Sequence, residues 1–493
     1  MKRAMACALA IWAGLGAATR IEAAPSEYLL RMNRASNLDR VLKSHRLVLS
    51  RQIGWIALYI VTGPDGVSPD ALEAEVRADR YVLSFERDRQ AIAGESAAVH
   101  PDLKQSSDTL NDALALDRTL SDFYGAQVWA GYANQAAFTH IGVPAARQAG
   151  QVGSDYVVAV IDTGVDLSDP RLTGVWAGPG YDFVHNQPGA SDAMDIAPTT
   201  AAILHQDACG TTAQSVSALV DQSVSGLVDQ SVSALVDCVP ANVTQSVSAL
   251  VDGNTVTSLA SEPPLPNSYG HGTMVSGLVH AVAPGAKILP VKAFNSDGTG
   301  RSYDIAQAIY YAVLSGARVI NMSFTFTEVS QEVMWATAWA AQQRVVLVGS
   351  AGNRGLEMRA WPAEHKWVVG TGSTNLYDER STFSNHGYDT FKIGAPGENL
   401  ITTYPGGHYA AVSGTSFSAA IMSGTVALQA QVAPLCEWGC QFDVQFKAPF
   451  VMVTGAARVA SNNQYPQRIV VPTAVQVAPS YQRDTVKQIN NVR

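Results

Sequence analysis

The sequence predicts an α/β protein with a mostly parallel central sheet flanked by helices, and three observations predict it. Near-continuous apolar runs recur at Val157–Ile161, Lys287–Lys292, Arg318–Met322, Val345–Val348 and Trp367–Gly370. Strands without polar alternation are buried on both faces, as in a parallel sheet covered by helices. Helix-length segments at 272–282, 303–316, 329–343 and 416–432 alternate with these runs or follow them, which is the α/β pattern. The composition agrees: 493 residues, 47% hydrophobic and 15% charged, support a large core that needs no disulfide or metal to hold it. Length alone fits two to four units, or one large domain with appendages.

Lys plus Arg number 33 against 42 Asp plus Glu, a net charge of −9. A general nucleic-acid binder would show a basic stripe, so that class is excluded. The charged fraction is also too low for a disordered chain. Lys2 and Arg3 precede an apolar run from Ala4 to Ala18, and small residues continue through Ala23 and Ala24. This is the pattern of a secretory signal over residues 1–24. The alternative, an uncleaved anchor, has a run short of the ~20 apolar residues a spanning helix needs. The chain is therefore expected to be secreted or periplasmic, with no membrane association once the signal is removed. Cys7 would leave with the signal, and Cys209, Cys238, Cys436 and Cys440 remain. An even number in an oxidising space leads us to expect the pairs Cys209–Cys238 and Cys436–Cys440, with free thiols as the alternative.

Residues 25–125 carry no catalytic signature. They contain a strand-like run at Trp55–Thr62, a helical pattern at Asp70–Ala78 and a second strand-like run at Tyr81–Phe85, a small β-α-β unit. The α/β rhythm fills 126–435 and a tail of 436–493 follows. Within the large region, 205–262 is foreign to that rhythm. The octapeptide Gln214–Asp221 recurs at 222–229 (with Gly226 for Ala), 230–237 and 245–252. Eight is a multiple of the strand period, whereas on a helix an eight-residue repeat cannot keep one apolar stripe. The block is therefore expected to be an insertion with β-like steps, a disordered tract being the alternative.

Three segments each place a reactive side chain at the end of a strand or the head of a helix. Val160-Ile-Asp162-Thr-Gly164 delivers a carboxylate where the chain turns. Gly270-His271-Gly272-Thr273 holds a histidine between glycines at the start of an apolar helix. Ser413-Gly414-Thr415-Ser416 opens another helix with a serine, where backbone N–H groups favour developing negative charge. Ser, His and Asp are the parts of a nucleophile, its base and the group that orients the base. Gly352-Asn353-Arg354, after a buried strand, offers a carboxamide donor for an oxyanion. Each has a plainer meaning alone. Asp-Thr-Gly is half of an aspartic-protease dyad, but no second copy exists here. Any one histidine is most often structural, Gly-Thr-Ser is a common turn and N-cap, and an asparagine often serves a turn. Their joint occurrence is what points to catalysis.

Together these segments resemble the subtilisin-like serine peptidases, the subtilases of peptidase family S8, whose known chain order is Asp, His, Ser. The likeness runs from about residue 130 to 432 and includes Val282–Lys292, Asn295–Gly300, Val319–Ser323, Phe383-Ser384 and Ala395–Gly397. The resemblance implies the subtilisin-like three-layer fold and a secreted endopeptidase acting through an acyl-enzyme. Asp162 would orient the imidazole, His271 would be general base and then acid, and Ser416 the nucleophile. Asn353 and the Ser416 backbone N–H would form the oxyanion hole. Gly298, Thr299 and Gly300, with Ser323, Phe324 and Thr325, would bind an extended peptide as an added strand, and Gly352 would line the adjoining pocket. The resemblance also makes 25–125 a propeptide-like region acting on its own enzyme, and implies a monomer with protein or peptide substrates. Met274 and Ala420 depart from the family pattern at positions without chemistry. The helix after His271 runs directly into Ala283-Pro284, leaving no room for a calcium loop found in many relatives, so no metal or other cofactor is expected. Arg354 beside Asn353 would favour an acidic residue before the cut, or is simply solvated. Two rival readings are a catalytically silent scaffold used for binding, and an esterase; the latter would show a Gly-x-Ser-x-Gly elbow and a different order.

Overall fold

The computed structural model describes residues 26–53, 56–93, 117–198, 234–235, 266–326, 328–387 and 390–432. The signal segment, all five cysteines, the tail after 432 and the repeats other than Ala234–Leu235 lie outside them. The chain divides into two compact units between Arg87 and Asp88, 38 residues before the sequence-based boundary at 125/126.

The N-terminal unit comprises β1 (Glu27–Met32), α1 (Leu38–His45), β2 (Val48–Ile53), β3 (Leu58–Thr62), α2 (Pro69–Arg77) and β4 (Val82–Arg87). Its sheet order is β2-β3-β1-β4. Both β3 and β4 pair antiparallel with β1, so they run parallel to each other with β1 between them. The expected β-α-β unit is thus present but split. The inserted strand is not visible in the sequence because its partners are nonlocal, whereas α1 is amphipathic, with Val41 buried and Leu38 and Leu42 packed against the same core. Tyr28, Leu30, Val61, Leu72, Val76 and Phe85 form its core, with the Tyr28 and Phe85 rings stacked at 4.8 Å.

The larger unit begins with β5 (Gln90–Ala93), the hairpin β6 (Leu120–Phe123) and β7 (Ala126–Trp129), and the short helices α3 (Ala130–Ala133), α4 (Ala136–Ile141) and α5 (Val143–Gln148). The central sheet follows with β8 (Val157–Asp162), β9 (Tyr181–Asp182) and β10 (Gln187–Pro188). Next come β11 (Ala234–Leu235), α6 (His271–Val282), β12 (Lys287–Lys292), β13 (Thr299–Arg301) and α7 (Ser302–Leu314). The remaining elements are β14 (Val319–Met322), β15 (Phe324–Phe326), α8 (Gln331–Gln342), β16 (Val346–Ser350), β17 (Val368–Thr374), β18 (Ile393–Pro396), β19 (Leu400–Tyr404), β20 (His408–Val412) and α9 (Thr415–Val432).

Eight strands form the main sheet in the order β10-β9-β12-β8-β14-β16-β17-β18. All neighbours pair in parallel except the short edge strand β10. Val158 and Val160 of β8 pack with Val275, Leu278 and Val279 of α6 and with Ile421 and Met422 of α9. The intervening Ala159 and Ile161 are also fully buried but point to the opposite face, where α7 packs on the sheet and α8 on α7. Three layers result, with both faces of the strands covered as their unbroken apolar runs require. Two residues of the third octapeptide, Ala234 and Leu235, pair antiparallel with Ala411 and Ala410 of β20. No helix among the described residues is long and apolar enough to cross a membrane.

One buried group in this core has a measurable consequence. His280, near the end of α6, is 3% exposed, and neither ring nitrogen finds a hydrogen-bond partner among the described residues. Its ring meets Phe123 edge-on at 5.4 Å. Burial first, then the charges of Arg147 and Lys287, push its pKa down to about 3. The folded state therefore keeps it neutral while the unfolded chain takes up a proton below about pH 6.5. Because the unfolded state binds more protons in that window, stability falls as pH drops from about 6.5 towards 3, by on the order of 4 kcal/mol from this group. We expect His280→Leu to flatten the fall of Tm with pH over that range, as thermal denaturation at stepped pH would show. An equally steep fall in the variant would place the acid sensitivity elsewhere.

Candidate active site

Asp162 is the last residue of β8, so its carboxylate emerges at the carboxyl edge of the parallel sheet, where open α/β sheets hold their ligands. Its Oδ1 accepts the Thr163 N–H at 2.7 Å. The chain then turns at Gly164 with φ +102°, where a Cβ would stand 2.9 Å from the Asp192 backbone nitrogen. Helix α6 starts directly against this turn. A Cβ on Gly272 would lie 2.1 Å from the Gly164 carbonyl oxygen and 3.1 Å from Asp162 Cβ, so only glycine lets the helix approach this closely. The approach brings His271 Nδ1–H to donate to Asp162 Oδ1 at 2.7 Å. Both side chains are excluded from solvent, at 0% and 1% exposure.

Ser416 lies in the first turn of α9 and is buried, at 2% exposure. Its Oγ donates to the Ser323 carbonyl at a long 3.5 Å, while the Ser416 carbonyl accepts from Ser323 Oγ at 2.9 Å. The ring of the next residue, Phe417, stands 5.7 Å from the His271 imidazole. The heads of α6 and α9 thus meet over the sheet edge. Asn353 comes from the loop after β16, and its Oδ1 accepts the Thr415 N–H at 2.8 Å. With its oxygen turned to Thr415, its Nδ2 is left to face the Gly414–Ser416 turn, where a Cβ on Gly414 would lie 3.2 Å away. The neighbouring Arg354 side chain is exposed.

The two expected peptide-binding edges are also brought together. β13 and β15 flank β5, forming the three-stranded sheet β13-β5-β15. Thr299, Gly300 and Arg301 pair antiparallel with Ile92, Ala91 and Gln90. Phe324, Thr325 and Phe326 pair antiparallel with Ala93, Ile92 and Ala91. Ala91 and Ala93 are fully buried between the flanking strands, whereas Ile92 is half-buried. Gly298 accepts the Ala93 N–H at its carbonyl, at 2.8 Å.

The profile of the subtilase family matches residues 153–445, more than half of the chain. The chain belongs to the subtilase family. It is 34% identical over 179 residues to a thermostable alkaline protease of Halalkalibacterium halodurans, a stretch covering 34% of this chain and 49% of that protein. It is 34% identical over 182 residues to subtilisin BL of Lederbergia lenta, covering 35% and 67%. The match therefore spans about half the length of the first of these relatives and two thirds of the second. Among solved structures, fervidolysin of Fervidobacterium pennivorans, a keratinolytic enzyme related to subtilisin, superposes with a TM-score of 0.60 over 92% of this chain and 61% of that one. At 18% identity that likeness concerns the fold.

Several residues that support the site in this subtilase escaped sequence reasoning. Lys292 is fully buried at the end of β12, and its ammonium donates to the Thr163 carbonyl at 2.6 Å, the Phe294 carbonyl at 2.7 Å and Asp195 Oδ2 at 2.7 Å. It thereby pins the backbone on either side of the loops that carry Asp162. Thr273 accepts the Asp166 N–H at 2.8 Å and donates to Asp192 at 3.1 Å. Burial, and secondarily the charge of Asp166, push the Asp192 pKa up to about 7. Thr415 Oγ1 accepts the Gly352 N–H at 2.9 Å, joining the loop of Asn353 to the head of α9. The only available signal was a lysine closing an apolar strand and threonines inside the two motifs.

Proposed function

We propose that this subtilase is a secreted serine endopeptidase working through Asp162, His271 and Ser416. The observation that carries the reading is the solvent-excluded 2.7 Å hydrogen bond from His271 to Asp162, set where the heads of α6 and α9 meet. Asp162, accepting from Nδ1, fixes the tautomer in which Nε2 can act as base and stabilises the imidazolium once it forms. Nε2 takes the Ser416 proton as Oγ bonds to the substrate carbonyl carbon. Asn353 Nδ2 and the Ser416 N–H, at the positive end of α9, receive the oxyanion. His271 then returns the proton to the leaving amine as the C–N bond breaks, and water repeats the sequence on the acyl-enzyme. No step calls for a metal or other cofactor.

The same reading makes the N-terminal region, up to shortly beyond β5, a propeptide. β5 occupies the place between β13 and β15 that a substrate strand would take, and the compact unit ending at Arg87 precedes it directly in sequence. The test is labelling of the full chain with a serine-directed phosphonate, followed by peptide mapping and N-terminal sequencing. We expect label on Ser416, none on Ser416→Ala, and a new N-terminus within a few residues after Ala93. An unlabelled Ser416, or casein cleavage that survives Ser416→Ala, would defeat the reading.

A further inference from the structure

The ladder that holds β5 does not stop at Gln90. Arg89 donates its N–H to Ser302 Oγ at 3.0 Å, and the Ser302 N–H donates to the Arg89 carbonyl at 2.8 Å. One residue further out, the Asp88 carboxylate is seated at the head of α7. Its Oδ2 accepts from Arg301 Nε at 2.5 Å, and its Oδ1 from Ser302 Oγ at 2.8 Å and from the Tyr303 N–H at 3.1 Å. The Asp88 side chain is only 5% exposed, while Arg301 is 42% exposed. A guanidinium, a hydroxyl and a backbone N–H at the positive end of a 13-residue helix are thus all turned on one carboxylate.

We propose that Arg301, Ser302 and the first N–H groups of α7 form a distal subsite for an acidic side chain of an extended peptide, five residues upstream of the one opposite Phe324. The proposal rests on the peptidase reading and adds the substrate class: segments with Asp or Glu well upstream of the cut. The donors belong to β13 and α7, not to the departing segment, so they remain when residues 88–93 leave. A substrate that repeats the β5 ladder brings its own side chain to the same point, because strand register fixes which residue reaches the helix head. Glu328, which pairs with Arg89, is 68% exposed and would add a weaker preference for a basic residue next to the acid.

The test uses internally quenched peptides with the chain's own residues 88–97, beginning with Asp or with Asn, against the full-length chain after activation. In wild type we expect kcat/KM to fall about tenfold for the Asn peptide, the modest end of what a charge-assisted contact is worth given the exposure of Arg301. Arg301→Gln should bring the ratio of the two peptides below about threefold. Arg301→Lys, which keeps the charge, should restore part of it. Equal kcat/KM for the two peptides in wild type, or an undiminished ratio in Arg301→Gln, would overturn the subsite. Should wild type cut neither peptide nor casein, the peptidase reading itself has failed; should it cut casein alone, the peptides do not report the subsite. Trypsin then decides the subsite separately in the intact Ser416→Ala chain. Cleavage after Arg89 about tenfold faster in Arg301→Gln supports the carboxylate seat, and unchanged cleavage refutes it.

Discussion

Ser416→Ala is expected to lower kcat about 10⁶-fold, and His271→Ala by as much, with the double variant no worse than either. That magnitude is the one known for subtilisin, and is carried over rather than obtained from this geometry. The non-additivity does follow from the geometry: a base with no nucleophile to deprotonate contributes nothing, and the reverse holds too. The serine variant should also fold normally. Among the described residues Ser416 Oγ makes only the 3.5 Å hydrogen bond to the Ser323 carbonyl, so its loss should change stability by less than about 1 kcal/mol. The Ser323–Ser416 bond at 2.9 Å uses the Ser416 backbone carbonyl and survives. Kinetics on a short peptide alongside thermal denaturation would check both statements. Independent, multiplying losses would mean that the two side chains do not act as a unit. The variant should moreover retain residues 25–93 by mass, since in this scheme the cut that removes them uses the same nucleophile.

The sequence showed the central sheet plainly because β8, β12, β14, β16 and β17 are buried on both faces, and such strands need unbroken apolar runs. It offered the candidate catalytic groups because each stands at a junction marked by glycine, and Gly164 and Gly272 are glycines for a steric reason. What it could not show was pairing between distant segments. β1 lies between β3 and β4, and β5 lies between β13 and β15 more than 200 residues away. Four residues such as Gln90–Ala93 carry too short a pattern to announce a partner. Buried polar ties are equally silent: Lys292 in a strand reads as an edge charge until its three acceptors are placed around it. The division after Arg87 was missed for the same reason, since residues 88–93 belong with the larger unit only through that nonlocal ladder.

Asp162 offers a sharper test of how the imidazole is held. Asp162→Ala should reduce kcat by roughly 10⁴-fold, the order that the corresponding removal costs subtilisin. An asparagine at this position in a Ser-His-Asp triad can cost as much by reversing the imidazole tautomer. Here the surroundings argue for less. One oxygen, Oδ1, accepts both the Thr163 N–H at 2.7 Å and the His271 Nδ1–H at 2.7 Å, while Oδ2 has no hydrogen-bond partner among the described residues. An asparagine that turned its NH₂ towards His271 would also aim it at the Thr163 N–H, donor against donor. The amide oxygen should therefore keep the Oδ1 place, and the productive tautomer with it. Only the negative charge opposite the forming imidazolium is then lost, worth about 4 kcal/mol at an effective dielectric near 20, or roughly 10³ in rate. We expect Asp162→Asn to retain about tenfold more activity than Asp162→Ala, with ¹⁵N shifts of His271 reporting a proton on Nδ1. A proton on Nε2, with activity down to the alanine level, would show that Thr163 does not govern the orientation of residue 162.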